Sequence, residues 1–223
     1  MSEFVYEGAK LLEDLKEAVN YNESLKALVI KNSLKGRCLD FGAGIGTFAD
    51  LVRKEIDPSC LELDASQASF LEEKGYIVIK NLEKSQFDYI YSLNVLEHIK
   101  DDQAALASIC EALNEKGRAL IFVPAFNLLF SSLDQSVGHY RRYSMSMMRE
   151  IIPEGYRIKK ISYFDTIGFL FALLFKVFKL GSDQVKKSNI KIFDSIFFPI
   201  NKILDPLFSK FFGKNLYVVI EKI

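Results

Sequence analysis

The chain contains 223 residues, of which 49% are hydrophobic, so it can bury the core of one elaborated α/β domain or of two small domains. Its 29 basic residues balance its 29 acidic residues, which argues against a general nucleic-acid-binding protein, because such proteins carry a basic excess. The three cysteines form no C-x-x-C pair, which argues against a zinc site, and their odd number argues against a disulfide framework. The polar N-terminus has no signal-peptide core, and we expect a cytoplasmic protein.

Apolar residues recur at helical spacing over residues 3–34, with a polar break near residues 20–22. The pattern predicts two amphipathic helices, the first containing Leu11, Leu12 and Leu15. Together they form a helical cover, residues 1–34, on the edge of a sheet. The polar break is a candidate to reach over a bound ligand.

From residue 35 to residue 164, short apolar runs alternate with helical patterns and predict the core of the domain. The predicted strands are residues 37–41, 60–64, 76–79, 87–92 and 119–123, and the predicted helices are residues 47–56, 67–74 and 102–114. This alternation indicates a doubly wound, mainly parallel α/β sheet with right-handed crossovers. Ligands of such sheets bind beyond the carboxyl ends of the strands.

The first strand runs into a glycine turn, Asp40-x-Gly42-x-Gly44-x-Gly46, and Thr47 then opens a helix. Glycines permit a tight turn and let a ligand lie against bare backbone, and the helix start offers unpaired N–H groups. The acid ahead of the glycines would repel a pyrophosphate and suits a cationic ligand. A dinucleotide fingerprint fits poorly, because Thr47 also stands in place of its third glycine.

Asp64 ends the second predicted strand, roughly 20 residues after the glycines, where a carboxylate can bind ribose hydroxyls. The alternative is that Asp64 caps the helix that begins near Ser66. We favour ribose binding, because the glycine turn precedes this position.

Two further motifs follow: Asn94-Val95-Leu96-Glu97-His98-Ile99 after the fourth strand, and Leu113-Asn114-Glu115-Lys116-Gly117 after the next helix. With the glycine turn and Asp64, they resemble the motifs of class I S-adenosylmethionine (SAM)-dependent methyltransferases, in order and spacing, over residues 37–124. The resemblance implies a Rossmann-like fold and SAM as cofactor, with S-adenosylhomocysteine as its product. It implies a cofactor site formed by Asp40, Gly42, Ala43, Gly44, Gly46, Asp64, Ala65, Asn81, Leu82, Leu93 and Asn94.

Residues 126–144 follow the fifth strand and are dense in hydrogen-bonding groups. Their Gly-His-x-Arg-Arg-Tyr run after an aspartate resembles a methyltransferase subgroup found among genes of glycan and lipid pathways. Because histidine is the natural base near neutral pH, the candidate catalytic residues are His139, Asp134 and Tyr140. The candidate substrate contacts are His98, Arg141, Arg142 and Tyr143. The alternatives are a solvated loop in which Ser144 caps a helix, and a structural role for His98, which we favour for that residue.

Residues 156–164 and 214–223 predict a sixth and a seventh strand, which in the fold implied by the resemblance pair antiparallel at the sheet edge. Between them, residues 166–213 carry apolar runs with interspersed lysines, and neither run reaches the roughly 18–20 residues of a membrane-spanning helix. We predict an amphipathic helical insertion. It is either an extra helical layer or homodimer interface, or else a lid or membrane-binding face that includes Phe197 and Phe198.

The predicted function is SAM-dependent methyl transfer within a single domain, residues 1–223. The acceptor is a small molecule, a glycan or a lipid-linked compound, and nucleic acid is not an expected partner. The alternatives are a nicotinamide-dependent oxidoreductase and a catalytically silent SAM-binding protein. No cluster of acids and histidines stands out in the sequence, so we expect no metal. The expected location is the cytoplasm, with peripheral contact to the inner membrane face through the insertion.

Overall fold

A computed structural model describes residues 17–178 and 187–223. The first predicted N-terminal helix, with Leu11, Leu12 and Leu15, lies outside the described residues, and so does the part of the insertion at residues 179–186. The second predicted N-terminal helix is present as α1, Val19–Asn32, but the predicted break near residues 20–22 is wrong, because these residues lie in the first turn of that helix.

Seven strands of the described residues form one sheet, as predicted. They are β1 Cys38–Phe41, β2 Ser59–Leu61, β3 Val78–Ile79, β4 Phe87–Leu93, β5 Leu113–Pro124, β6 Tyr156–Phe164 and β7 Asn215–Lys222. Their order is β3-β2-β1-β4-β5-β7-β6, in which β1 to β5 are parallel and β7 is antiparallel to β5 and to β6. The helices between the strands are α2 Thr47–Val52, α3 Ala65–Glu73, α4 Asp102–Glu111, α5 Ser132–Ser136 and α6 Met145–Ile151.

The central strands are buried on both faces, as parallel strands between two helical layers must be. On one face, Leu39 and Ile121 join a cluster that includes Leu106 of α4 and Met148 of α6. On the other face, Phe122 belongs to a second cluster, which contains residues of α1. The N-terminal helix therefore covers the sheet and completes its core.

Several predicted boundaries are wrong: the helix predicted at residues 47–56 ends at Val52, and the strand predicted at residues 76–79 begins at Val78. Two further errors have a clear cause. Strand β2 ends at Leu61 and not at Asp64, because Asp64 has turned away to cap helix α3. Strand β5 begins at Leu113, where residues 102–114 were expected to be helical, because Leu113 pairs with Phe87 of β4. In both places hydrogen bonds made on folding override the local periodicity.

The strand register brings several chain segments to one rim of the sheet. Pro124 at the end of β5 pairs with Asn215 at the start of β7, and Asn215 pairs with Phe164 at the end of β6. The insertion between β6 and β7 therefore leaves and rejoins the sheet at its carboxyl rim, where ligands of this architecture bind.

The described part of the insertion begins with α7, Thr166–Val177, and resumes with α8, Lys187–Ile192. A π-helical turn, Phe193–Phe197, and a 3₁₀ turn, Phe198–Ile200, lead into α9, Asn201–Phe208. Among the described residues, no helix combines the length and the apolar character needed to cross a bilayer.

One side of the insertion packs on the domain. The Asp194 carboxylate accepts hydrogen bonds from the backbone N–H groups of Asn20 and Tyr21 at the start of α1. The Phe198 ring lies 5.4 Å from the Tyr21 ring and 6.1 Å from the Phe164 ring. The placement of Phe198 on an exposed face is therefore wrong, because this side chain is buried.

The other side of the insertion exposes many apolar side chains. We call this set the apolar face; its members are Leu170, Leu174, Phe175, Val177, Phe178, Ile192, Ile196, Ile200, Ile203, Leu207, Phe208 and Phe211. Scattered exposed apolar residues are ordinary, whereas these twelve side chains all fall within one segment of the chain.

Candidate functional site

The glycine turn between β1 and α2 has three left-handed residues, with φ values of 78°, 56° and 80° at Gly42, Gly44 and Gly46. A Cβ at Gly42 would lie 2.5 Å from a Val95 methyl, and one at Gly46 would lie 2.8 Å from a Leu71 methyl. A Cβ at Gly44 would meet only Gln67 Oε1, at 3.4 Å. Packing therefore requires the outer two glycines, whereas Gly44 borders open space in which a ligand can lie.

Asp40 of β1 is buried beneath this turn, and its Oδ2 has no hydrogen-bond partner among the described residues. Burial raises the pKa of Asp40 to about 7, the neighbouring Tyr91 hydroxyl opposes part of the rise, and the charge of Glu62 adds to it. A cation bound here would favour the ionised carboxylate. The position suits the positively charged ligand expected from the sequence.

The carboxylates of Glu62 and Asp64 follow β2 and accept hydrogen bonds from different parts of the backbone. Glu62 accepts hydrogen bonds from the backbone N–H groups of Gly44, at 2.8 Å, and Asp64, at 2.9 Å. Asp64 caps α3 and accepts from Ser66 and Gln67. The cap uses Oδ1 of Asp64 alone, so the helix-cap alternative is observed, and the predicted ribose contact stays a prediction for Oδ2.

The remaining predicted cofactor residues lie at neighbouring strand ends. Leu93 ends β4, and Asn94 follows it in a left-handed conformation with φ 56°, its N–H bonded to the Phe122 carbonyl. Asn81 is exposed just after β3, and Leu82 packs against the core. Ala43 lies within the glycine turn, and Ala65 begins α3.

Residues 125–144, the β5–α6 loop, start and finish at the carboxyl end of β5. The Tyr143 N–H donates to the Pro124 carbonyl, and the Phe126 N–H donates to the Tyr143 carbonyl, each at 2.9 Å. The Ala125 N–H donates to the Lys214 carbonyl at 2.9 Å, which joins the loop to the end of the insertion. The loop is therefore held on the rim at its base.

Asp134 of α5 organises the interior of this loop. It is 1% exposed and accepts bonds from the Ser131 N–H and hydroxyl, from Nδ1 of His139 at 2.8 Å, and from Nε and Nη2 of Arg142. Burial alone would raise the pKa of Asp134, but the bonds from His139 and Arg142 outweigh it and hold that pKa below its ordinary value. An ionised Asp134 accepts a hydrogen bond from the Nδ1–H group of His139, so that in the neutral imidazole the lone pair lies on Nε2.

His139 faces Glu97 and His98, which lie in a 3₁₀ turn, Leu96–His98, after β4. The His139 Nε2 and Glu97 Oε1 atoms are 3.9 Å apart, and the two histidine rings cross at 4.6 Å between centroids. Burial raises the pKa of Glu97 to about 8, and burial together with the charge of His139 lowers the pKa of His98 to about 4. Both side chains are therefore uncharged near neutral pH.

The other candidate substrate contacts are engaged inside the protein. Arg141 pairs with Asp102 at 2.6 Å, and the buried Tyr143 donates its hydroxyl to the same carboxylate at 2.7 Å. Arg142 is held by Asp134. These side chains support the loop, whereas Tyr140, at 57% exposure, is free to meet a ligand.

Sequence reasoning did not select Glu97, Glu62 or Asp102 as site residues. Glu97 carried a usable signal, because a Glu-His pair directly after a strand end places a carboxylate on the ligand rim. The sequence around Glu62 and Asp102 carried no such signal, because Glu62 bonds to the backbone N–H of Gly44 and Asp102 pairs with the Arg141 guanidinium, both distant in the chain.

The family model described as a methyltransferase domain matches residues 12–164, more than half of the chain. This chain belongs to that methyltransferase family. No curated protein sequence matches it significantly. The family match decides against the oxidoreductase alternative, and the chain is a SAM-dependent methyltransferase, as its motifs predicted.

Solved structures of methyltransferases are similar in fold. A SAM-dependent methyltransferase from Thermotoga maritima has a TM-score of 0.62 and 15% identity, covering 99% of this chain and 97% of that one. One from Archaeoglobus fulgidus has a TM-score of 0.58 and 21% identity, covering 91% and 94%. Phosphoethanolamine N-methyltransferase 2 from Haemonchus contortus, in complex with SAM, has a TM-score of 0.57 and 20% identity. The match covers 89% of this methyltransferase and 52% of that enzyme, about half its length.

Proposed function

We propose that this methyltransferase transfers the methyl group of SAM to a lipid-linked acceptor, which can carry a glycan, at the surface of an anionic membrane. The acceptor nucleophile bonds to the methyl carbon while the sulfonium C–S bond breaks, and S-adenosylhomocysteine leaves. The enzyme aligns the two reactants and handles the acceptor's proton. The observation that supports a lipid acceptor is the direct attachment of the apolar insertion to the β5–α6 loop.

The attachment has two parts. At the base of the loop, Ala125 bonds to Lys214, which follows the last helix of the insertion. At the far end of α7, Nζ of Lys176 donates to the carbonyls of Leu128 and Phe130, the latter at 3.0 Å. The exposed end of α7 therefore lies beside the loop that carries His139. An acceptor anchored in lipid would reach that loop along an apolar surface.

Lysines accompany the apolar face and give it a preference for anionic lipid. Lys191, Lys202 and Lys210 are exposed within the same helices and the turn that follows them. Each lysine close to such a membrane contributes about 1 kcal/mol, and salt weakens the attraction. Apolar contact and basic charge together are the two terms that hold a peripheral protein on a bilayer.

Within the site, the cofactor is assigned to the turn around Gly44 and to Asp40 and Asp64. The acceptor is assigned to the side of His139, whose Nε2 lone pair can take up a proton while Asp134 fixes the ring. Tyr140 lies next to His139 and offers an exposed hydroxyl. Arg141, Arg142 and Tyr143 act as positioning residues.

The test is transfer of labelled methyl from SAM into a cell lysate that is then separated into lipid, glycan and small-molecule fractions. We expect the label in the lipid fraction. Label confined to the other fractions contradicts a lipid acceptor, and SAM binding without any transfer identifies a catalytically silent protein.

Flotation with liposomes tests the membrane contact separately. We expect binding to anionic liposomes at low salt, weaker binding at high salt and little binding to neutral liposomes. If the protein ignores anionic liposomes and instead sediments as a dimer whose interface protects the apolar face, that face is a homodimer interface.

A further inference from the structure

The fold brings His139 next to the adjacent residues Glu97 and His98, and all three are potential metal ligands. Glu97, His98 and His139 each offer one ligand atom, and these atoms all lie within 4.8 Å of one another. The Tyr140 N–H donates to the Glu97 carbonyl at 2.8 Å, which fixes the two backbones side by side. The sequence prediction of no metal rested on the lack of clustered acids and histidines, and the structure supplies such a cluster.

The Glu97 carboxylate indicates that something outside the chain completes this cluster. It is fully buried, and neither of its oxygens has a hydrogen-bond partner among the described residues. A buried carboxylate without a partner is costly, so native proteins pair such groups or use them to coordinate metals. His139 Nε2 lies 3.9 Å from Glu97 Oε1, beyond hydrogen-bond range and close enough for both atoms to bind one ion.

The second ring nitrogen of His139 is arranged as metal-binding histidines usually are. Nδ1 bonds to Asp134 Oδ1 at 2.8 Å, and Arg142 holds Asp134 in place. Metal ligands of this type almost always donate their other N–H to a carboxylate or carbonyl, which fixes the tautomer and strengthens the donor. The His98 ring is bonded to the backbone of Gly138, in the turn before His139.

We propose that Glu97, His98 and His139 bind a divalent transition-metal ion of the Zn²⁺ type, with Asp134 supporting His139 from behind. Two imidazoles and one carboxylate favour Zn²⁺, Fe²⁺ or Co²⁺ over Mg²⁺ and Ca²⁺, which prefer oxygen ligands. Three protein ligands leave a coordination position open, as in catalytic rather than structural sites.

The ion would change the role of His139 in the proposed function, and this part rests on that function. Ion and proton compete for the Nε2 lone pair, so in the loaded protein His139 is a ligand. An acceptor hydroxyl in the open position would have its pKa lowered by the ion and would release its proton to solvent without a protein base.

Titration of tag-free, chelator-treated protein with Co²⁺ tests the site without relying on activity. We expect visible absorption bands to saturate at one ion per chain and Zn²⁺ to displace the Co²⁺. Glu97→Gln and His98→Ala should lose stoichiometric binding. Asp134→Asn should weaken binding by about 10–100-fold, as expected for a supporting carboxylate. Asp101→Asn, a matched control at the N-cap of α4, should bind as the wild type does.

Glu97→Gln is nearly isosteric and replaces an unpaired buried carboxyl group with a neutral amide, so it should fold and melt about as high as the metal-free wild type. SAM calorimetry on each variant then separates loss of the ion from loss of the cofactor site. The proposal is overturned if the wild type takes up no stoichiometric Co²⁺ or Zn²⁺, or if Glu97→Gln binds them equally well. Neither result affects the methyl-transfer proposal, which the lysate assay tests.

Discussion

The Arg142 guanidinium forms a two-pronged contact with Asp134, with Nε 2.8 Å from Oδ1 and Nη2 3.0 Å from Oδ2. The same Oδ1 atom lies 2.8 Å from His139 Nδ1. Arg142 is therefore already paired within the protein and is not a substrate-binding group. It holds Asp134, and Asp134 orients His139, so the effect of Arg142 on catalysis is indirect.

Arg142→Lys should reduce turnover by tenfold or more while leaving SAM affinity unchanged. Lysine keeps the charge but cannot form the planar fork, so Asp134 and the His139 ring lose their common orientation. Loss of one charged hydrogen bond should also cost about 1.5–3 kcal/mol in the free energy of unfolding. Kinetics, calorimetry with SAM and urea unfolding give the three quantities. Arg141→Lys, which alters the pairing with Asp102 instead, is the control, and equal turnover in both variants contradicts the positioning role.

Much of the fold and part of the site follow from the sequence, for identifiable reasons. Glycines at Gly42, Gly44 and Gly46 predict the turn because its backbone is left-handed at each of them. The internal partners of Arg141 and Arg142 do not follow, because a run of charged residues looks the same whether it meets solvent, a substrate or buried carboxylates. The approach of Glu97 to His139 depends on how β4 and β5 pair, which no local pattern encodes.

Gly44→Val should abolish SAM binding and leave a folded protein. The site borders open space, so the added side chain would occupy room for the ligand without displacing the core. The positive φ of 56° adds some backbone strain to any variant with a side chain at this position. Gly44→Ala has the same strain without the larger side chain, so it serves as the reference. Gly42→Val should instead unfold the turn, because its side chain would collide with Val95. Circular dichroism and calorimetry distinguish the two outcomes; normal SAM affinity in Gly44→Val would remove this turn from the cofactor site.

The affinity for SAM should rise with pH up to about 7 and then level off. Asp40 has a folded-state pKa of about 7, well above its ordinary value of 3.8, so it is largely neutral at pH 6 and attracts a cation poorly. Below pH 7 the affinity should fall by up to roughly tenfold per pH unit. Asp40→Asn should bind weakly and without this dependence.

The raised pKa of Asp40 also makes the stability of the folded protein depend on pH. Between pH 3.8 and about 7 the unfolded chain binds fewer protons at Asp40 than the folded chain does, so the free energy of unfolding should fall as pH rises. Asp40→Asn should remove that contribution. A SAM affinity that is flat from pH 5 to pH 8 in the wild type contradicts an ionised Asp40 in the complex.

Asp64→Ser separates the capping of helix α3 by Asp64 from its predicted contact with the ribose of the cofactor. Serine is a good N-cap, so α3 should keep its stability, whereas Asp64→Ala should lower it. Both variants lack the carboxylate and should bind SAM roughly tenfold or more weakly if Oδ2 holds the ribose hydroxyls. Thermal melting and calorimetry report the roles independently. Normal SAM affinity in Asp64→Ser would leave Asp64 as a helix cap alone and direct attention to Glu62.

Replacing two exposed side chains of the apolar face should release the enzyme from anionic liposomes. Ile203 and Phe211 are 68% and 70% exposed, so Ile203→Ser with Phe211→Ser removes apolar surface without opening the core. The control is Ile77→Ser, because Ile77 is 72% exposed beside β3, at the opposite edge of the sheet. We expect liposome binding to fall at least tenfold in the double variant and to stay unchanged in the control, with SAM affinity preserved in both.

Lys202→Glu should weaken liposome binding most at low salt, because the contribution of Lys202 is electrostatic. If the double variant floats with anionic liposomes as the wild type does, the apolar face does not contact the membrane, and the lipid-linked acceptor loses its support.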